Sequence, residues 1–150
     1  MNCSRNVSIA FAALVCILAA SGGRAQAPSR SVWEGVYTTD QAKRGQQLYG
    51  QYCGACHGDT LGGGESAPPL AGAEFLSNWN GLTVGDLFDR MRTSMPQDKP
   101  GKLSREQNAD ILAHMLRANE FPAGSVELNR NSEMLKQIRI DAAKPEGKSK

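Results

Sequence analysis

The stretch Cys53-Gly54-Ala55-Cys56-His57 decides how this sequence is interpreted. Two cysteines two residues apart, followed by a histidine, are compatible with three chemistries: a thioredoxin-like redox pair, half of a zinc site, or the covalent attachment of a haem. Each chemistry requires a different sequence context. The residues around the pentapeptide therefore have to discriminate among the three.

The context favours haem attachment over the other two chemistries. A thioredoxin-like pair belongs to a βαβ unit, whereas the flanks here have helical and glycine-rich patterns with no preceding strand. A zinc site needs four ligands, but His57 and His114 are the only histidines, and His57 cannot easily share one tetrahedral metal with the cysteine beside it. In the haem interpretation, two thioether bonds fix the porphyrin edge and the next imidazole lies beneath the iron.

The first 27 residues have the layout of a secretory signal peptide, with an early arginine, an apolar run and a final Ala25-Gln26-Ala27. The apolar run of about 14 residues is shorter than the roughly 20 that a membrane-spanning helix needs. We therefore expect export to the periplasm, cleavage after Ala25 or Ala27, and no stable membrane span.

Removal of this segment changes the cysteine count and the charge. Cys53 and Cys56 would be the only remaining thiols, and a pair this close in sequence closes too small a loop to stabilise a secreted domain as a disulfide. The 17 Lys and Arg residues would fall to 15, equal to the number of Asp and Glu residues. This balance indicates neither a nucleic acid nor an anionic membrane as partner.

Helical periodicity appears three times, each time with a recognisable start. Two starts, at Thr38 and Ser104, have the Ser/Thr-x-x-Glu/Gln spacing of a capping box. No stretch sustains the two-residue alternation of a strand, so we predict an all-α fold without a sheet. The predicted helices run from Thr38 towards Cys53, from near Thr83 to Met95, and from Ser104 to Asn119.

A long loop and a polar end complete the expected organisation. Residues 58–80 contain glycine and proline runs, and a loop of this length in a small domain is functional, disordered or wrapped around something other than protein. After Phe121 the apolar pattern weakens to one short cluster, Met134, Leu135 and Ile138, and the end from Lys144 onwards is interpreted as a disordered polar tail. The expected units are a signal peptide (1–27), one domain (28–128) and a largely polar C-terminal extension (129–150).

From Val32 to about Leu128 the sequence resembles class I monohaem cytochromes c, in particular those that occur as soluble carriers or fused domains beside quinoprotein dehydrogenases. The resemblance implies a class I fold in which three main helices and loops wrap around one covalently bound haem c. The residues that carry it are Trp33-x-Gly35-Val36-Tyr37, Gly45-x-x-x-Tyr49, Cys53-x-x-Cys56-His57-Gly58, Ala67-Pro68-Pro69-Leu70, Ser94-Met95-Pro96, Pro100-Gly101 and Phe121-Pro122-Ala123-Gly124.

By position, the resemblance makes Cys53 and Cys56 the thioether sites, His57 the proximal iron ligand and Met95 the distal ligand. Met95 follows the second predicted helix and precedes a proline, where the backbone turns and a side chain can be aimed at an iron. Met91 falls on an apolar helix face and is interpreted as a core residue.

Four more residues take roles from the resemblance. Pro68 would offer its carbonyl oxygen to the second ring nitrogen of the proximal histidine, although a simple loop stiffener is the alternative. Trp79 would donate to a haem propionate, or would be a plain core aromatic. Leu70 is assigned to cofactor binding with them. His114 stands where related sequences usually have an aromatic residue, beside Gly45 at a helix crossing, and is interpreted as a packing residue whose titration could affect that crossing.

The function implied is that of a periplasmic electron carrier, and not an enzyme, that shuttles single electrons between a dehydrogenase, such as a quinoprotein, and a terminal oxidase. Two alternatives stay open. One is a haem-binding subunit docked in a dehydrogenase complex through residues 121–150. The other is a haem enzyme or gas sensor in which Met95 can be displaced from the iron.

Overall fold

The computed structural model describes residues 28–65, 67–144 and 146. The predicted signal peptide, residues 1–27, lies outside this range, as do Pro145 and residues 147–150 of the predicted tail. The described chain is mostly helical, as the sequence predicts. Its elements are β1 (Arg30–Ser31), a 3-10 turn (Val32–Glu34), α1 (Thr39–Tyr52), α2 (Gly54–His57), α3 (Ala73–Trp79), α4 (Val84–Ser94), α5 (Arg105–Ala118), α6 (Ser132–Leu135) and β2 (Ile138–Arg139).

Helices α1 and α5 cross in direct backbone contact at Gly45. A Cβ atom on this glycine would lie 1.8 Å from the carbonyl oxygen of Asp110, so no other residue fits without moving one helix. Next to it, the Arg44 guanidinium donates to both carboxylate oxygens of Asp110, with N···O distances of 3.0 Å, and to Glu127 at 2.9 Å. These hydrogen bonds and charges raise the pKa of Arg44, and they fix the crossing from the side.

The predicted helix starts are confirmed, with one difference at α1. Thr38 Oγ1 accepts from the N–H of Gln41, but the Gln41 side chain does not return to the cap. It is buried instead, where it accepts from the N–H of Leu128 and donates to the carbonyl of the same residue. A glutamine that caps and one that binds a distant segment look identical in sequence. The starts of α4 and α5 carry complete capping boxes, formed by Thr83 with Asp86 and by Ser104 with Gln107.

The predicted loop 58–80 contains a helix that the sequence pattern does not show. Helix α3 has only seven residues, and its N-cap is Gly72 at φ 86°, which offers no capping side chain. Phe75 is buried, and Trp79 packs against it one turn later. Two contacts in seven residues are too few to show a helical period, which explains why the sequence of this segment indicates a loop.

The predicted boundary at residue 128 is not the end of the packed core. Residues 129–141, called the C-terminal strap from here on, return along the domain, and Leu135, Ile138 and Ile140 are buried in it. Strand β2 pairs in parallel with β1. The described chain therefore contains a two-stranded sheet, whereas the sequence predicts none. Each strand has two residues, which is too short to produce an alternating pattern.

The strap is packed directly on α4. A Cβ atom on Gly85 would lie 2.6 Å from the backbone nitrogen of Lys136 and 2.8 Å from the carbonyl oxygen of Ser132, which shows how closely the two segments approach. The Ser132 hydroxyl also donates to the Asp89 carboxylate at 2.5 Å. The strap therefore supports the helix whose C-cap is Met95.

At the C-terminal end of the strap, Asp141 binds two residues near the N-terminal end of the described chain. Its carboxylate accepts from the hydroxyl of Ser31, and its carbonyl accepts from the indole N–H of Trp33 at 2.9 Å. Among the described helices, none has the length and apolar character required to cross a bilayer.

Candidate haem site

The pentapeptide forms a single helical turn, α2, directly after α1. The N–H groups of Cys56 and His57 donate to the carbonyl of Cys53 at 3.1 and 3.0 Å. These bonds hold the first cysteine, the second cysteine and the histidine in one turn. Cys56 is exposed, Cys53 is half-buried, and both are free thiols. The turn thus holds two unpaired sulfur atoms beside the histidine.

The Cys53 thiol does not have the character of a redox-active cysteine. Burial, followed by the neighbouring Cys56, raises its pKa to about 11. Dithiol oxidoreductases depend on the opposite shift, which produces a thiolate near neutral pH. The environment therefore agrees with the sequence argument against a thioredoxin-like pair.

His57 is buried and held in one orientation by a backbone acceptor. Its Nδ1 lies 2.8 Å from the carbonyl oxygen of Pro68, a hydrogen bond that assigns the ring proton to Nδ1. Nε2 then carries the lone pair that a metal ion needs. Such an outer bond is common for metal-binding histidines, because it fixes the ring and increases its basicity.

Glycines allow the chain to double back and bring Pro68 to His57. Gly63 has φ 80°, and a Cβ atom there would lie 2.7 Å from the nitrogen of Pro69, so a side chain is excluded on both counts. The N–H of Gly63 also donates to the carbonyl of His57 at 2.9 Å, and Leu70 donates to the carbonyl of Leu61 at 2.8 Å. The glycine run therefore has a structural purpose in positioning the histidine's acceptor.

Asn119 is a positioning residue that the sequence indicates only as a helix end. Its side-chain amide donates to the carbonyls of Leu70 and Met115, and its oxygen accepts from the N–H of Gly72. The loop that carries Pro68 is thereby fixed to the end of α5. Asparagine is common at helix ends for many reasons, so nothing in the sequence indicated this bond.

Tyr49 is a second such residue. Its hydroxyl donates to the carbonyl of Gly58, the residue after His57, at 2.6 Å. Burial, with smaller effects from Cys53 and Asp59, raises the pKa of Tyr49 to about 12. The phenol therefore stays protonated and holds the C-terminal end of the α2 turn against α1.

His114 lies at the α1–α5 crossing, as the sequence predicts. Its ring meets that of Tyr49 edge to face, with centroids 5.3 Å apart, and its Nδ1 lies 3.2 Å from Nη2 of Arg117. Burial, followed by the charge of Arg117, lowers the pKa of His114 to about 4. It is a neutral packing residue at physiological pH.

The remaining candidates lie at the edges of the core. Met95 is the half-buried C-cap of α4, and Met91, one turn earlier, is buried in the core. Leu70 and Trp79 are half-buried and pack against the core. The contacts among described residues bring Pro68 directly to His57, but they do not join Met95 or Trp79 to it, so the ligand role of Met95 and the propionate contact of Trp79 stay predictions.

These residues fit a c-type haem by their chemistry. Two free thiols in one turn can form two thioether bonds, and the adjacent imidazole is buried, oriented and left with a coordinating nitrogen. This spacing of two cysteines and a histidine is the sequence signature of c-type haem attachment.

The comparison with known families agrees with this geometry. Residues 40–115 match the profile of the family described as "Cytochrome C oxidase, cbb3-type, subunit III". The matched range includes the whole α2 turn and α4, and it amounts to half of the chain. The chain belongs to this cytochrome c family. As a class I c-type cytochrome, it is expected to bind c-type haem covalently and to transfer electrons.

Two known proteins are similar to this chain over part of their length. It is 33% identical over 102 residues to the thiosulfate dehydrogenase of Stutzerimonas stutzeri (strain A1501), a match that covers 58% of this chain and 32% of that protein. The chain therefore spans about a third of the length of this relative. The sulfane dehydrogenase SoxCD of Paracoccus pantotrophus shares the fold, with a TM-score of 0.50 and 24% identity over 71% of this chain and 61% of that one.

Proposed function

We propose that this cytochrome is a periplasmic carrier of single electrons, with one haem c bound through Cys53 and Cys56 and ligated by His57 and Met95. The observation that carries the proposal is the buried His57, whose Nδ1 bond to Pro68 leaves a coordinating nitrogen beside two free thiols. When bound, the haem supplies a one-electron iron couple, and the protein supplies ligation, burial and orientation. Export is supported by the composition of residues 1–27.

The residues around His57 act by limiting movement. Pro68 holds the imidazole from the loop side, and Asn119 and Tyr49 fasten that loop and the α2 turn to two different helices. A site whose ligand cannot rotate changes little between two oxidation states. Such rigidity suits a carrier better than an enzyme that must open.

Met95 has the role that separates a carrier from a haem enzyme or gas sensor. A thioether ligand stabilises ferrous iron relative to ferric iron, which raises the reduction potential. It also occupies the position that a small molecule would need. The strap supports α4 at Gly85 and Asp89, so the helix that presents Met95 is braced from outside.

The electron donor is proposed to be a dehydrogenase and the acceptor a terminal oxidase. The relative from Stutzerimonas stutzeri is named a thiosulfate dehydrogenase, which favours a donor that oxidises a reduced sulfur compound over the quinoprotein that the sequence resemblance implies. A second candidate function is a haem-binding subunit docked in such a dehydrogenase. It is favoured by the observation that the match covers only 32% of the relative, which thus contains more than this unit.

The test compares Met95→Ala with Met91→Leu in the haem-loaded protein. Met95→Ala should lose the sulfur-to-iron charge-transfer band of the ferric form, acquire a lower reduction potential, and bind carbon monoxide in the ferrous form. Met91→Leu should keep the band, because it changes core packing at a cost of less than about 1.5 kcal/mol without touching the iron.

Wild type should retain haem through denaturing electrophoresis and bind no carbon monoxide at neutral pH, and the Cys53→Ala/Cys56→Ala variant should lose the haem stain. If wild-type ferrous protein binds carbon monoxide readily, the carrier function is wrong. If Met91→Leu removes the band instead, the ligand is wrong. Stable copurification with a dehydrogenase from native periplasm would favour the docked subunit.

A further inference from the structure

Helix α4 places an arginine close to its C-terminal end, where the C-cap residue, Met95, is the proposed iron ligand. Phe88 and Arg92 are spaced i and i+4, so they lie on the same face of the helix. The Arg92 guanidinium lies over the Phe88 ring, 6.0 Å from its centroid, and the Arg92 side chain is 31% exposed. Arg92 is thus partly covered, one turn before Met95.

The Nε atom of Arg92 is buried and has no hydrogen-bond partner among the described residues. A carboxylate is near, but the distance from Arg92 Nη2 to Asp89 Oδ1 is 3.9 Å, which is too long for a hydrogen bond. The other oxygen of Asp89 accepts from the Ser132 hydroxyl and lies 3.9 Å from the Lys136 ammonium. Asp89 is therefore engaged with the strap and does not satisfy Arg92.

A buried donor without an acceptor is unfavourable, and a guanidinium cannot relieve this by losing its proton. Guanidinium groups pair best with planar anions, carboxylates above all. The described chain offers no second carboxylate to Arg92. The described residues therefore leave Arg92 Nε free to donate to an anionic group from outside them.

We propose that Arg92 Nε donates to a propionate carboxylate of the bound haem, so that Arg92 is a positioning residue for the cofactor. The inference rests on the proposed function, because a haem ligated by Met95 would be bound next to the C-terminal end of α4 and would supply carboxylates as acceptors. It adds a donor that the sequence resemblance did not assign, since that resemblance gave only Trp79 this role. The bond would hold the propionate ionised and place a positive charge near the iron, which favours the ferrous form.

The test measures reduction potential against pH in haem-loaded wild type and in three variants. Arg92→Gln removes the guanidinium, Arg92→Lys keeps the charge without the planar donor, and Arg90→Gln removes an equal charge from another position on the same helix. The potential is followed from about pH 5 to about pH 9, where a carboxyl that has lost a charged partner can titrate.

Arg92→Gln should lower the potential and introduce a pH dependence that wild type lacks. Arg92→Lys should keep a near-wild-type potential at neutral pH with a weaker version of that dependence. Arg90→Gln should introduce none. If Arg92→Gln behaves like Arg90→Gln, Arg92 is a surface charge only and the inference is wrong.

If Arg92→Gln yields no soluble haem protein, the pH dependence of the potential in Arg92→Lys decides. A lysine variant whose potential equals that of wild type at every pH overturns the inference. Failure of the proposed function looks different. In that case wild type itself would carry no covalent haem or show no reversible couple.

Discussion

Single buried polar residues hold the candidate site together, and His114 is the one whose ionisation the fold opposes. It is 6% exposed and lies between Tyr49 and Arg117. Its pKa is about 4 in the folded chain against an ordinary value of 6.5. Between these two values the unfolded chain binds a proton that the folded chain does not, so folding stability falls as the pH falls.

We expect His114→Tyr to abolish this acid sensitivity. At neutral pH the variant should have the wild-type visible spectrum and equal or higher stability, because tyrosine is an aromatic of the kind that related sequences carry at this crossing. Below pH 6.5 wild type should lose up to roughly 3 kcal/mol relative to the variant, and the loss should level off near pH 4. Urea unfolding at a series of pH values measures the difference.

A stability difference that is the same at every pH would show that His114 is not the titrating group. A changed axial-ligand band in the variant would place the histidine's influence at the iron instead of at the crossing.

At the level of elements, the α1–α5 crossing determines where the pentapeptide is held, because α1 leads directly into the α2 turn. The crossing depends on the absence of a side chain at Gly45. A Cβ atom at this position would lie 1.8 and 2.4 Å from the carbonyl oxygen and carbon of Asp110. Backbone atoms cannot move aside as the end of a flexible side chain can.

Gly45→Ala should therefore destabilise the protein by roughly 1 to 3 kcal/mol, the usual range for overpacking, despite the better helix propensity of alanine. Gly50→Ala is the matched control, since this glycine is on the same helix and a Cβ atom there would have nothing within 4 Å. It should be neutral or stabilising by up to about 1 kcal/mol. Equal unfolding free energies for the two variants would contradict close backbone contact at the crossing.

For the whole molecule, the C-terminal strap joins the two ends of the described chain and covers α4. It contributes Leu135 and Ile140, both fully buried, and Ile138, which is 5% exposed. Burying a side chain of this size contributes about 1.5 to 3 kcal/mol, so the three together are comparable to the roughly 5 to 15 kcal/mol that stabilises a domain.

Truncation after Leu128 should thus abolish soluble, folded haem protein or lower its melting temperature severely. Truncation after Ala143 is the control and should leave thermal stability nearly unchanged, because it keeps Asp141 and its bonds to Ser31 and Trp33. A protein ending at Leu128 that melts like the control would show that the strap adds no stability.

Much of the architecture could be predicted because it depends on neighbours in sequence. Helix caps at Thr38, Thr83 and Ser104 act over three residues, and the spacing of the two cysteines and His57 lies within one turn. The assignment of Met91 to the core follows from helical period alone. The pentapeptide and the family pattern around it were sufficient to indicate a haem-binding all-α domain.

What only the tertiary structure decided depends on residues far apart in the chain. Asn119 meets Gly72 across 47 positions, and Ser31 meets Asp141 across 110. Each contact joins one residue to one distant residue, so neither produces a repeating pattern in the sequence. The unsatisfied Nε of Arg92 is also a property of packing, since an arginine three residues after an aspartate looks paired in sequence until the 3.9 Å distance is measured. The sequence by itself indicated a c-type haem and the main helices, whereas the fold decided how firmly His57 is held and left the buried Nε of Arg92 without a partner among the described residues.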